Sequence, residues 1–174
     1  MHQCEEGKGI KMRFLVLDPS KTGTGWAYFD SSLPKHLVAS GCIRPHKKDG
    51  HWMSSIEKQL KVVLAEYSPE KAWMENKYKY ARKYYSKKLG RWVITVGGSQ
   101  EYASAWNLVN KVISDHGIPC EELDTRRLVK NKMAVLCARR YTDKKVGEDE
   151  AECICWGEFL IANKFNQGQP LKGG

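Results

Sequence analysis

Within its first 67 residues the chain changes apolar period once, and that change restricts the fold more than any other feature. Residues 12–17, 24–30 and 36–43 are short apolar or aromatic runs bounded by turn formers, as strands are, and the Ser-Lys-Thr-Gly link between the first two suits a hairpin. From Trp52 the spacing lengthens: Trp52, Ile56, Leu60, Val63, Leu64 and Tyr67 recur every three to four residues, which predicts an amphipathic helix stopped by Pro69. A fourth strand follows at residues 71–75. A second helix is predicted on Tyr102, Ala105, Trp106, Val109, Val112 and Ile113, with Ser99 as cap and Gly117 as stop, then a fifth strand at 118–123. Asp124 or Thr125 is predicted to cap a third helix through Leu128, Val129, Met133, Leu136 and Cys137. A fourth starts near Glu148 and Asp149, with Ala151, Ile154, Cys155, Phe159 and Ala162 on its inner face. A meander of three strands followed by helix–strand alternation is an α/β layout with a sheet covered on both faces.

A length of 174 residues suits one domain. We expect a loose leader at 1–11, a single domain at 12–165 and a loose tail at 166–174. No apolar run is long enough for a membrane span and the first residues lack a signal-peptide pattern, so a cytoplasmic protein with no membrane partner is expected. The formal charge of +9 favours polyanions, nucleic acid above all. Six cysteines, none in a CxxC pair, suggest neither zinc nor a disulfide framework.

The chemistry is concentrated in a few carboxylates. Asp18 closes what should be the most buried strand, where charge is rare unless paired or metal-bound, and Glu75 repeats the arrangement on the fourth strand. Each alone reads as an ordinary strand exit. Asp149 and Glu152 stand at i, i+3 near a helix start, so they share a face, while Glu150 points elsewhere. First-turn acids also serve the helix dipole without any further role. Two strand ends and a helix start that all offer oxygen suit hard divalent cations, Mg²⁺ or Mn²⁺, better than zinc. Two such ions about 3.5–4 Å apart can activate water and stabilise the leaving oxygen in attack on a phosphodiester.

These residues resemble the RuvC family of Holliday-junction resolvases, within the RNase H-like superfamily of nucleases. The likeness lies in Phe14-Leu15-Val16-Leu17-Asp18-Pro19 with Thr24-Gly25-Trp26-Ala27, in Met74-Glu75, in Val129-Lys130, and in Asp149-Glu150-Ala151-Glu152-Cys153-Ile154-Cys155, in the family's order. It runs from about Met12 to Ala162. Ser20 stands where the family has Gly, Glu152 where Asp is commoner, and the segment after Val129 is short, a compact form that looks like the RuvC-like proteins of bacteriophages. The resemblance implies a five-stranded mixed sheet, three antiparallel strands then two parallel, with helices on both faces. It implies a metal-binding tetrad of Asp18, Glu75, Asp149 and Glu152, Lys130 near the scissile phosphate, two Mg²⁺ or Mn²⁺ ions, and a homodimer that resolves four-way junctions by paired nicks leaving 5′-phosphates. The same chemistry on flaps, forks or other branched nucleic acid is an alternative. A non-catalytic junction-binding module is another.

Residues 76–92 contain many cations and aromatics and no acid. Lys77, Lys79, Arg82, Lys83, Lys87, Lys88 and Arg91 would neutralise phosphates, and Tyr78 and Tyr80 would stack on bases opened at a branch point. An exposed loop or helix whose aromatics pack on the body is the plainer alternative. Arg44, Lys47 and Lys48 could extend the track or form a solvated loop. Replacing Lys77, Lys79, Arg82 and Lys83 by Ala should weaken junction binding and flatten its salt dependence, each lost phosphate contact lowering the log–log slope by about 0.9. Titrations at several salt concentrations check this, and an unchanged slope contradicts it.

Overall fold

A computed structural model of the chain describes residues 11–46, 50–76, 82–95 and 100–165. Strands β1 (Arg13–Asp18), β2 (Thr24–Asp30) and β3 (Leu37–Ile43) form the meander, and helix α1 (Trp52–Tyr67) leads to β4 (Lys71–Glu75). A separate hairpin, β5 (Arg82–Ser86) and β6 (Arg91–Thr95), precedes helix α2 (Gln100–Asp115). Strand β7 (Cys120–Leu123) and helices α3 (Asn131–Ala138) and α4 (Glu148–Leu160) complete the order, with a π-helical turn at Ile161–Phe165. The main sheet runs β3-β2-β1-β4-β7, antiparallel across β1–β2–β3 and parallel across β1–β4–β7, as the sequence led us to expect. Among the described residues no helix is long and apolar enough to cross a membrane, and Cys42, Cys120, Cys137, Cys153 and Cys155 are free thiols.

Strand alternation sorts the core into two layers. Leu15, Leu17, Ala72 and Met74 meet α1 and α2 on one side of the sheet, while Phe14, Val16 and Trp73 meet α3 and α4 on the other. Helix α1 ends where its stop signals require, with Ser68 left-handed at φ 46° and its N–H bonded to the Leu64 carbonyl, directly before Pro69.

Three expectations need correction. The third helix begins at Asn131, and neither Asp124 nor Thr125 caps it: Asp124 accepts from the Arg126 backbone and guanidinium, and the Thr125 hydroxyl is used elsewhere. Its buried face is Ala134 and Ala138, leaving Met133 and Leu136 exposed, because α3 lies on α4 and small side chains allow that approach. Helix α4 also lacks the single inner face that was read: it is sandwiched between the sheet and α3, so Glu150 to Ile154, Trp156, Gly157 and Leu160 are buried. Phe159 is exposed, and so is Ala162 in the π-helical turn. The cap read at Ser99, Cys4, the leader apart from Lys11, and the tail lie outside the described residues.

Docking of α4 depends on a glycine. A Cβ at Gly157 would stand 2.0 Å from Phe29 Cε2, and Phe29 is itself stacked on Phe14 at 5.1 Å, which meets Trp73 edge-on at 5.2 Å. No rotamer of a buried, stacked ring can yield that space. Gly157→Ala should therefore destabilise the fold by about 2 kcal/mol through overpacking, with part of the loss recovered in a Phe29→Leu background. Urea unfolding midpoints measure both, and an unchanged midpoint in the single variant contradicts the packing.

Candidate active site

The alternation that sends Phe14 and Val16 toward α4 sends Asp18 there too, and Trp73 carries Glu75 to the same side. Leu17 is in register with Met74 across the parallel β1–β4 pair, so the next residues, Asp18 and Glu75, leave the sheet side by side. Both are buried, Glu75 completely. Two carboxylates out of water at adjacent strand ends are costly unless charge or hydrogen bonds compensate them.

Helix α4 brings the second pair. Asp18 is in register with Gly25 of β2, and a Cβ at Gly25 would lie 2.3 Å from the Asp149 carbonyl oxygen. The missing side chain lets the first turn of α4 rest directly on β2 beside Asp18. Glu148, Asp149 and Glu150 occupy that turn, where negative charge is favoured by the helix dipole. Glu150 turns away as expected, accepting from Ser40 Oγ at 2.7 Å and Lys144 Nζ at 2.9 Å. Glu152, one turn further, is buried and points toward α3.

The segment between β7 and α3 supplies the donors. Thr125 Oγ1 donates to Glu75 Oε1 at 2.5 Å, and Lys130 Nζ reaches the same oxygen at 3.1 Å. Asn131, left-handed at φ 53°, donates its backbone N–H to Glu152 Oε1 at 2.7 Å. Trp156 of α4 ties the segment down from below, its Nε1 donating to the Val129 carbonyl at 3.1 Å with Lys130 Nζ 5.9 Å from its ring centroid. Cys153 sits beneath the group. Burial pushes its thiol well above the usual range, and the charges of Asp18, Glu152, Asp149 and Glu75 push it further.

Lys130, which the resemblance put near a scissile phosphate, is paired here with Glu75. Among the described residues no three acidic, histidine or cysteine side chains converge closely enough as they stand to enclose a metal ion. The donor set is nonetheless carboxylate oxygen throughout, the chemistry that hard divalent cations take. Lys130 and Thr125 hold one of the carboxylates, Glu75, and the Asn131 N–H holds another, Glu152.

The basic segment divides. Lys77, Tyr78, Lys79 and Tyr80 lie outside the described residues, as do the side chains of Arg82 and Lys83 and, in the smaller group, Lys47 and Lys48. From Arg82 onward the chain is a β-hairpin, where a loop or helix had been considered. Lys87, Lys88 and Arg91 are exposed at its turn. Tyr85 and Trp92 face each other across the strands, rings edge-on at 5.7 Å and both more than half exposed. The neighbouring Cys42 thiol and, less, the charge of Asp149 push the Arg44 guanidinium up from its ordinary value. Sequence reading missed Thr125 and the Asn131 N–H as site donors. Leu123 is in register with Glu75, and Thr125 stands two residues beyond it, just past the end of β7.

The strand order, with three antiparallel strands followed by two parallel ones and helices on both faces, is an RNase H-like fold. Among solved structures, T. thermophilus RuvC in complex with Holliday junction substrate is similar, with TM-score 0.60 and 14% identity over 87% of this chain and 94% of that chain. No protein-family model matches the sequence, and no curated protein does.

Proposed function

We propose that the chain is a metal-dependent, structure-selective endodeoxyribonuclease that resolves Holliday junctions by paired nicks leaving 5′-phosphates. The observation that carries the reading is the buried pair Asp18 and Glu75, side by side at the ends of β1 and β4, with the first turn of α4 and its acids resting on β2 beside Asp18. The junction-bound structure of the T. thermophilus protein with the same fold supports the substrate class. A homodimer, which would place two such sites on opposing strands, belongs to this proposal, as do a compact phage-type relationship and a cytoplasmic setting.

Asp18, Glu75, Asp149 and Glu152 would hold two Mg²⁺ or Mn²⁺ ions, which when bound supply a polarised phosphate, an activated water and a stabilised leaving oxygen. The remaining roles belong to the chain. Lys130, on a loop and partly exposed, would pass from Glu75 to a phosphate oxygen and neutralise its charge. Burial of Asp18 and Glu75 keeps bulk water from competing for the same oxygens. The cationic segment from Lys77 to Arg91 follows immediately after Glu75 and would track the backbones leading into the site.

Flaps, forks and other branched nucleic acids are the nearest other substrates, and a binding module that keeps the fold is the other reading. One assay separates them. Purified protein and Asp18→Asn are incubated with a four-way junction, a flap, a fork and a linear duplex, each with Mg²⁺, Mn²⁺ or EDTA. We expect symmetrical, metal-dependent nicking of the junction, and in the variant retained binding with cleavage slower by at least about a hundredfold, a loss of roughly 3 kcal/mol of transition-state stabilisation. Wild-type rates in the variant contradict the site, preferred cutting of a flap or fork moves the substrate, and tight binding without cutting under either ion favours the module.

A further inference from the structure

The segment joining β7 to α3 does more than connect them. Within seven residues it gives the site a hydroxyl from Thr125, an ammonium from Lys130 and a backbone N–H from Asn131, all directed at carboxylates of other elements. Thr125 is 1% exposed, and Trp156 anchors the segment through the Val129 carbonyl. The two donors on Glu75 differ in kind. Lys130 is a charge on a long side chain that a cation at Glu75 would displace, since two positive charges compete for one oxygen. Thr125 is neutral, short and buried, and its bond survives that displacement.

We propose that the β7–α3 segment is a positioning element for the site, in which Thr125 holds Glu75 in its ligating orientation after Lys130 has left it, while the Asn131 N–H fixes Glu152. The inference rests on the nuclease reading above and adds Thr125 to it as a positioning residue, acting through Glu75. Outer partners of metal ligands generally set ligand orientation, and their loss costs about 10–100-fold in metal affinity. The two donors to Oε1 therefore affect metal binding in opposite directions. Removing the hydroxyl loosens the ligand, whereas removing the ammonium removes a competitor.

The test is Mn²⁺ binding to the DNA-free protein, read as the rise in melting temperature across a Mn²⁺ titration, for wild type, Thr125→Val, Thr125→Ala, Thr125→Ser and Lys130→Gln. We expect the Val and Ala variants to need about tenfold more Mn²⁺ than wild type, with the Ser variant restored because it keeps the hydroxyl. Lys130→Gln should need less Mn²⁺ than wild type. If the Val variant does not fold, the Ala variant carries the same expectation. A wild type that responds to Mn²⁺ alongside hydroxyl-free variants that respond at the same concentration overturns this inference alone, as does a Ser variant no better than Ala. A wild type that never responds overturns the metal-dependent reading and this inference with it.

Discussion

The parallel pairing of β1 with β4, in the register that sets Leu17 opposite Met74, is the constraint on which the site depends. It places Asp18 and Glu75 next to each other at the moment both strands leave the sheet, on the side facing α4. Shifting either strand by one residue would turn its carboxylate to the α1–α2 side, because side chains alternate along a strand. The apolar residues therefore fix the chemistry: Phe14, Val16 and Trp73 fill one layer, Leu15, Leu17, Ala72 and Met74 the other, and the acids follow from that filling.

Close approach completes the arrangement. Helix α4 contacts β2 through two positions with no side chain, Gly157 lying on the Phe29 ring and Gly25 lying under the Asp149 carbonyl. With both contacts in place the N-terminal turn of α4 is held over Asp18, and Glu152 faces the start of α3. Two of the buried carboxylates, Glu75 and Glu152, are met by donors from one short segment, Thr125 to Asn131. Lys130 serves there as the positive charge paired with the buried Glu75.

Much of this was legible in the sequence because the strands and the first helix announce themselves by period, and because an acid ending a buried run is unusual. Asp18 and Glu75 could be read that way, and the i, i+3 spacing of Asp149 and Glu152 was enough to separate Glu150 from them. Helix α3 was misread because Leu128, Val129, Met133, Leu136 and Cys137 mimic an amphipathic face, whereas contact with α4 selects the alanines. Thr125 was read as a cap since a hydroxyl after a strand and before a helix usually is one. Its actual bond spans 50 residues of sequence, and local pattern carries no trace of a partner so distant. The hairpin at β5–β6 was hidden by its composition: a run of lysines and tyrosines gives no clean alternation.

The central claim is that these four carboxylates form one cation site, and diffraction from crystals soaked in Mn²⁺ addresses it directly. Anomalous scattering locates manganese without reference to sequence or activity. The account predicts peaks in contact with Asp18 and with at least one each of Glu75 and the Asp149–Glu152 pair, accompanied by Lys130 drawn away from Glu75. Peaks only elsewhere on the surface, or none among these residues with Lys130 still on Glu75, would contradict it.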